Sequence, residues 1–176
     1  PHNLENALAA VCIAVFMGVP APVIRHTLRT FAGVEHRIEF VRELDGGRYI
    51  NDSKGTNVDS TLKAIETMTA PTVIILGGYD KHCDFPPLAQ AMKKSPQMKA
   101  AVLLGATADQ IETALRKADF TAIYRAQSLQ QAVDMGRELS QAGGNVLLSP
   151  ACASFDMFSD YEARGRIFKE IVRSLQ

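Results

Sequence analysis

Val73-Ile74-Ile75-Leu76 is four consecutive apolar residues, three of them β-branched, closed at once by Gly77-Gly78. With Thr72 ahead of it, a run this short reads as a strand over 72–76, and an apolar run through a strand has both faces covered. That excludes a half-solvated antiparallel sheet and demands helices above and below a mostly parallel one. The chain supplies both. Further strands are predicted over 100–104, 122–124 and 146–148, and helices over 59–68, 86–94, 108–118, 129–142 and 161–175. Ahead of them, Ile38, Phe40 and Val41 suggest a strand, Asp45-Gly46-Gly47 a turn, and Tyr49-Ile50 a returning strand, which together make a hairpin. The expected fold is α/β, a Rossmann-like, mostly parallel sheet with an N-terminal β-hairpin strand pair, flanking helices and right-handed crossovers.

The first thirty-odd residues read differently. Asn3 can cap a helix that carries Leu4, Leu8, Val11 and Val15 on one face and stops at Gly18. Pro20 and Pro22 lead into a second helix through Leu28 to about Phe31, and Gly33 ends the unit. An α-hairpin of this size is too small to hold a core alone. Residues 1–33 are therefore expected to be a helical remnant of another domain, and 34–176 a domain in their own right. The opening Pro1-His2-Asn3, without Met, adds the expectation of a segment from a longer protein.

Composition narrows the function classes. A formal net charge of +0 argues against nucleic acid or a membrane surface as the main partner. The apolar run 7–19, about 13 residues, falls short of the roughly 20 that a membrane span needs. Cys12, Cys83 and Cys152 are odd in number and widely spaced, which suits a reducing compartment and gives neither a disulfide framework nor a metal site. His2, His26 and His82 show no ligand spacing.

In parallel sheets ligands sit beyond the carboxyl ends of the strands, so the residues following each strand matter most. After Ile50 comes Asn51-Asp52-Ser53-Lys54-Gly55-Thr56-Asn57, where Thr56 or Asn57 can cap the next helix. After Leu76 comes Gly77-Gly78-Tyr79-Asp80-Lys81, after Leu104 comes Gly105-Ala106-Thr107, and after Leu148 comes Ser149-Pro150-Ala151-Cys152-Ala153-Ser154-Phe155-Asp156. Small residues there allow close backbone approach and leave N–H groups to meet an anion. Lys54 and Lys81, read as lying at neighbouring strand ends, suit a carboxylate or phosphate. Asp52 offers an acceptor for a sugar hydroxyl, and Arg37 can stack on a base or pair with phosphate. Arg164 and Arg166 read as a solvated helix face. Cys152 lacks a histidine partner and is not taken as a nucleophile. Gly55-Thr56-Asn57-Val58-Asp59-Ser60 has the cadence of a P-loop, but Asp59 stands where the lysine must be, so a P-loop is rejected.

Five motifs in this order and spacing resemble the Mur ligases. They are His2-Asn3-x-x-Asn6-x-x-x-Ala10; Phe31-x-Gly33-x-x-His36-Arg37-x-Glu39; Asn51-Asp52-Ser53-Lys54-Gly55-Thr56-Asn57; Gly77-Gly78-x-x-Lys81; and Leu148-Ser149-Pro150-Ala151-x-Ala153-Ser154-x-Asp156-x-Phe158 with Arg164-Gly165. Within that family the Asp-Ser-Lys-x-Thr-Asn form points to the member that adds D-glutamate. The resemblance implies the end of a central ATP-binding domain followed by the whole C-terminal amino-acid-binding domain. It implies an ATP-dependent ligase joining D-glutamate to UDP-N-acetylmuramoyl-L-alanine through an acyl phosphate, in the cytoplasm, as a monomer without nucleic-acid partners. ATP and Mg2+ are the implied cofactors, with the metal ligands mainly in a part of the family architecture that this sequence does not match. By resemblance Asn3, Asn6, Arg37 and Asp52 contact the nucleotide, and Lys54 faces the reacting phosphoryl group. Thr56, Lys81, Ser154, Phe155 and Tyr161 hold D-glutamate. The family often has Phe where Tyr161 stands, a departure that a contact through the backbone would survive. A folate-polyglutamate-type ligase and a non-catalytic binder of acidic ligands are the alternatives. Taken alone, these residues are expected to be inactive.

Overall fold

A computed structural model describes residues 2–140 and 142–176. The chain divides into two compact units, Pro1–Val34 and Glu35–Gln176. The first holds two helices, α1 (His2–Phe16) and α2 (Ala21–Thr30). Gly18, at φ +75°, takes the left-handed conformation between them, and its N–H donates to Val15 O at 3.0 Å. Because α1 begins at His2, Asn3 lies within its first turn and not at the cap; its side chain is outside what the structure describes.

The second unit is a six-stranded sheet. Its strands are β1 (Glu39–Leu44), β2 (Gly47–Asn51), β3 (Thr72–Leu76), β4 (Met98–Leu103), β5 (Ile123–Arg125) and β6 (Asn145–Leu148). They lie in the order β1-β2-β6-β3-β4-β5, and every pairing is parallel except β1 with β2. The β1–β2 turn has Asp45 and Gly46 both at positive φ (54° and 76°), a two-residue turn whose twist matches the flanking strands. The helices are α3 (Val58–Thr67), α4 (Pro86–Lys94), α5 (Ala108–Lys117), α6 (Leu129–Leu139) and α7 (Tyr161–Ser174).

The period-two alternation of strands explains why β3 must be apolar throughout. Ile74 and Leu76 pack with Ile65, Leu88, Met92, Ile111 and Leu115 of α3, α4 and α5. Val73 and Ile75, facing the other way, pack with Ala132 and Val133 of α6 and Phe168 and Val172 of α7. Each fully buried Ile or Leu contributes about 1.5–3 kcal/mol. On the second face the helix approaches closely: a Cβ at Gly136 of α6 would stand 2.7 Å from Val146 Cγ1.

Three expectations are corrected. Ile38 is not in β1; it adopts φ +46°, because its N–H is drawn to Asp52 Oδ1 (3.2 Å) and the neighbouring His36 N–H to Glu39 Oε2 (2.9 Å). Helix α6 stops at Leu139 instead of 142, with Ser140 extended (φ −73°, ψ 139°) and Gly143 at φ +79° turning the chain. Gln141, inside the predicted helix, lies outside the described residues. Finally, β2 and β3 are not neighbours, since β6 runs between them.

Because residues 35–176 carry both cores, deleting 1–34 is expected to leave one cooperative unfolding transition, read by circular dichroism during heating. A broad, non-cooperative melt of the shortened chain would place the boundary elsewhere.

Candidate functional site

The parallel strands end on one edge, and the loops leaving them are tied to one another. At the end of β2, the Asn51 side chain is buried; its Oδ1 accepts the Ser53 N–H (3.1 Å) and its Nδ2 donates to Glu39 Oε2 (3.0 Å) and to His36 Nδ1 (2.9 Å). Asp52 follows, 1% exposed. Its Oδ2 accepts from Ser149 Oγ at 2.7 Å and its Oδ1 from Ile38 N–H at 3.2 Å. Burial pushes this carboxyl up to about 6 against those two hydrogen bonds and the nearby charges of Arg37 and Arg164. At neutral pH it is mostly ionised. Gly55 must be glycine, since a Cβ would sit 2.7 Å from Asp52 Oδ2 and 2.9 Å from Ser149 Oγ. Asn57 caps α3 by accepting the Ser60 N–H, settling which of Thr56 and Asn57 does so.

The loops after β3, β4 and β6 meet backbone to backbone. Gly77 N–H donates to Pro150 O (2.8 Å), Tyr79 N–H to Ala153 O (2.9 Å) and Gly78 N–H to Thr107 Oγ1 (3.1 Å). Gly77 and Gly78 hold φ of 112° and 150°, and side chains there would strike Leu104 O and Ala153 O. Asp156 Oδ2 accepts the Ala106 N–H at 3.0 Å, joining the β6 loop to the β4 loop. Cys152 is buried and 3.2 Å from Thr107 Oγ1; burial pushes its thiol up to about 12, so it packs and does not attack.

Beneath the edge lies a residue the sequence reading placed in solvent. Arg164 of α7 is 3% exposed. Its Nε donates to Ser53 Oγ (2.9 Å), one terminal nitrogen to Ser53 O (2.8 Å), and the other to Cys152 O (3.1 Å) and Ala153 O (3.3 Å). Burial lowers its pKa to about 10, so it remains a cation at neutral pH. The periodicity held the signal: Arg164, Phe168 and Val172 follow at i, i+4 and i+8 and share the buried stripe. Arg166 is exposed, as expected. Gly165 sits where a Cβ would come within 2.2 Å of His36 Nδ1.

The predicted residues fall as follows. Lys54 is half-buried, its Nζ 3.5 Å from Tyr161 Oη and 5.3 Å over that ring. Tyr161 opens α7; its carbonyl accepts from Ser53 Oγ (2.7 Å), and as first residue its N–H has no acceptor within the helix. Ser154 is buried and Thr56 half-buried, while Lys81 and Phe155 are exposed, with the Lys81 ammonium 5.4 Å over the Phe155 ring. Arg37 is exposed between His36 (φ 64°) and Ile38 (φ 46°), two residues in sparsely populated backbone. Asn6 is exposed on α1 in the first unit.

Among the described residues the one acidic–histidine group with metal-like spacing is Glu35, His36 and Glu39. Lys169 Nζ donates to both carboxylates, at 3.1 Å for Glu39, and an ammonium in that position repels a cation. The group is an ion-pair network that the sequence reading missed, and it does not fit Mg2+.

A doubly covered, mostly parallel sheet with Gly-lined strand ends, two lysines and a buried arginine beneath them defines an α/β domain of the Rossmann-like class. Residues 36–152 match the family model described as Mur ligase, glutamate ligase domain, and the chain belongs to that family. It is 49% identical over 99% of its length to the UDP-N-acetylmuramoylalanine–D-glutamate ligase of Thermoanaerobacter sp. (strain X514). The values are 50% over 99% for the ligase of the same name from Pelotomaculum thermopropionicum, and 47% over 99% for that from Clostridioides difficile. The chain spans about 38% of the length of each of these relatives. In fold it is similar to the UDP-N-acetylmuramate–alanine ligase of Thermotoga maritima, with TM-score 0.69 and 19% identity over 98% of this chain and 38% of that one. It is also similar to the MurF ligase of Thermotoga maritima solved with ADP, with TM-score 0.62 and 14% identity over 97% of this chain and 38% of that one.

Two stability predictions follow from the burial. Asp52, raised from 3.8 to about 6, favours folding fully below about pH 4 and loses that advantage as pH rises through about 6, by about 3 kcal/mol. Asp52→Asn is expected to flatten the fall in unfolding free energy between those values, measured by urea denaturation at several pH values. A wild-type-minus-variant difference that does not change with pH would refute it. Arg164→Met strands buried carbonyl acceptors and is expected to cost about 3 kcal/mol or more by the same assay; a loss under about 1 kcal/mol would show the guanidinium contacts to be dispensable.

Proposed function

We propose that this chain is the amino-acid-binding end of a cytoplasmic, ATP-dependent ligase that adds D-glutamate to UDP-N-acetylmuramoyl-L-alanine in peptidoglycan synthesis. The observation that carries the reading is the placement of two lysines on either side of one anion-receptive loop. β6 lies between β2 and β3, so the 149–156 loop runs between the Lys54 loop and the Lys81 loop. Strands two apart in a sheet are separated by about 10 Å, so a small dicarboxylate over the β6 loop can meet Lys81 on one side while an adjoining phosphoryl group meets Lys54 on the other. The curated relatives, which bear the name of that ligase, support the same substrate. Among the described residues no helix is long and apolar enough to cross a membrane.

In this reading the muramoyl-alanine carboxylate is activated as an acyl phosphate at the expense of ATP, and the amine of D-glutamate displaces phosphate to form the amide. The loops supply positioning and charge rather than covalent chemistry. Lys81 pairs with one carboxylate of D-glutamate, a buried charge that must find a donor. The Thr56 hydroxyl assists it. The other carboxylate meets N–H groups at Ser154, Phe155 and Tyr161. Lys54, steadied by the Tyr161 ring, faces the phosphoryl group, and its charge counts most when negative charge is transferred. Arg37 and Asp52 serve the nucleotide, Arg37 against the base and Asp52 as acceptor for a ribose hydroxyl. For Asp52 this requires Ile38 to yield access, because the carboxylate is covered. The first unit, residues 1–33, would be the end of the ATP-binding domain, and these 176 residues alone would show no Mg2+-dependent ATPase activity.

In a full-length ligase carrying this segment, Lys81→Met is expected to raise KM for D-glutamate by about ten- to a hundredfold, with KM for ATP unchanged. Lys54→Met should instead lower kcat. Exchange of the two phenotypes, or an unchanged KM for D-glutamate in the Lys81 variant, would overturn the assignment.

A further inference from the structure

Two aromatic side chains stand in solvent at this edge without serving the core. Phe155 is 60% exposed and Tyr79 46% exposed. Their rings meet edge to face, with centroids 6.2 Å apart at 73°. The backbone under each is fixed. Tyr79 pairs with Ala153 across the two loops, and Asp156, next to Phe155, accepts the Ala106 N–H. The turn bearing Lys81 is fixed too: Asp80 Oδ1 accepts the N–H groups of His82 (2.7 Å) and Cys83 (3.3 Å), and Asp80 Oδ2 accepts from Gln110 Nε2 (3.1 Å). What remains free is the long Lys81 side chain, and its ammonium lies 5.4 Å over the Phe155 ring.

We propose that Tyr79 and Phe155 form a positioning platform for Lys81: the Phe155 face holds the ammonium at the mouth of the amino-acid site, and the Tyr79 edge holds Phe155. A flexible lysine in water pays rotamer entropy when it is brought to a ligand, and an aromatic face removes part of that cost beforehand. The ring face is a weaker partner than a carboxylate, so the ammonium remains available to an anionic amino acid. The platform thereby sets affinity for the acidic substrate without touching the reacting atoms. This inference rests on the reading of Lys81 as a carboxylate partner.

The platform is tested in two ways. In the 176-residue chain, the Lys81 ε-methylene resonances, assigned with 13C-labelled lysine, are expected to show an upfield ring-current shift that Phe155→Leu abolishes and Phe155→Tyr retains. In a full-length ligase carrying the segment, Phe155→Leu is expected to raise KM for D-glutamate about two- to fivefold, with kcat and KM for ATP unchanged. Tyr79→Leu should do so more weakly, and Phe155→Tyr should restore the wild-type value. On a Lys81→Met background, Phe155→Leu should add nothing. An absent ring-current shift overturns the platform, as does a Phe155→Leu effect of equal size with and without Lys81. A shift that is present while Lys81→Met leaves KM for D-glutamate unchanged instead overturns the substrate role of Lys81, and the function of the platform with it.

Discussion

The Arg164 guanidinium holds together the sheet edge that carries the candidate site. Loops after β2 and β6 have no secondary structure to bind them, and their carbonyls point inward at Ser53, Cys152 and Ala153. One planar cation satisfies all three and the Ser53 hydroxyl besides. A lysine could reach fewer acceptors, and an apolar residue none. Among the described residues no carboxylate pairs directly with Arg164, and its charge is met by backbone carbonyl dipoles and the Ser53 hydroxyl. The buried cation also lies near Asp52, whose ionised form it favours against burial. The site is thus an electrostatic assembly: a buried arginine and a buried aspartate below, with half-buried Lys54 and exposed Lys81 above.

Close approach of the backbones is the second constraint, and it falls on glycine. Gly77, Gly78 and Gly55 stand where a side chain would strike a carbonyl, a hydroxyl or the Asp52 carboxylate. With those side chains absent, the three loops interlock through direct N–H to O bonds and through Thr107. The Lys54 and Lys81 stems then start from rigid backbone, and only their distal atoms must be placed. Aromatic rings do that placing, Tyr161 under Lys54 and Phe155 under Lys81.

How much of this was legible in the sequence varied with the range of the interaction. Strand β3 and helix α4 were read to the residue, because an apolar run ending in Gly-Gly and a Pro-Pro start are local signals. The parallel sheet followed from burial on both faces. Strand order did not: nothing local says that the last strand inserts between β2 and β3. Ile38 was misread because its propensity is for strand, whereas its backbone is set by Asp52, fourteen residues away. Arg164 was misread because charge was weighed before period. The network of Glu35, Glu39, Asn51 and Lys169 joins residues over a hundred positions apart and left no local mark.

The same network explains how an exposed arginine is aimed. Arg37 lies between two residues with positive φ, a costly conformation for a β-branched isoleucine. It persists because every flanking group is held: His36 N–H by Glu39, His36 O by the Lys54 N–H, the His36 ring by Asn51 and the bare backbone of Gly165, and Ile38 N–H by Asp52. Lys169 fixes Glu39 in turn. The strain is therefore stored between the loop after β2, which bears Asp52 and Lys54, and α7, which bears Arg164, Gly165 and Lys169. Whatever Arg37 meets, its backbone is positioned by the elements that position Lys54, so the orientation of the Arg37 stem and that of the Lys54 stem are set by one packed unit.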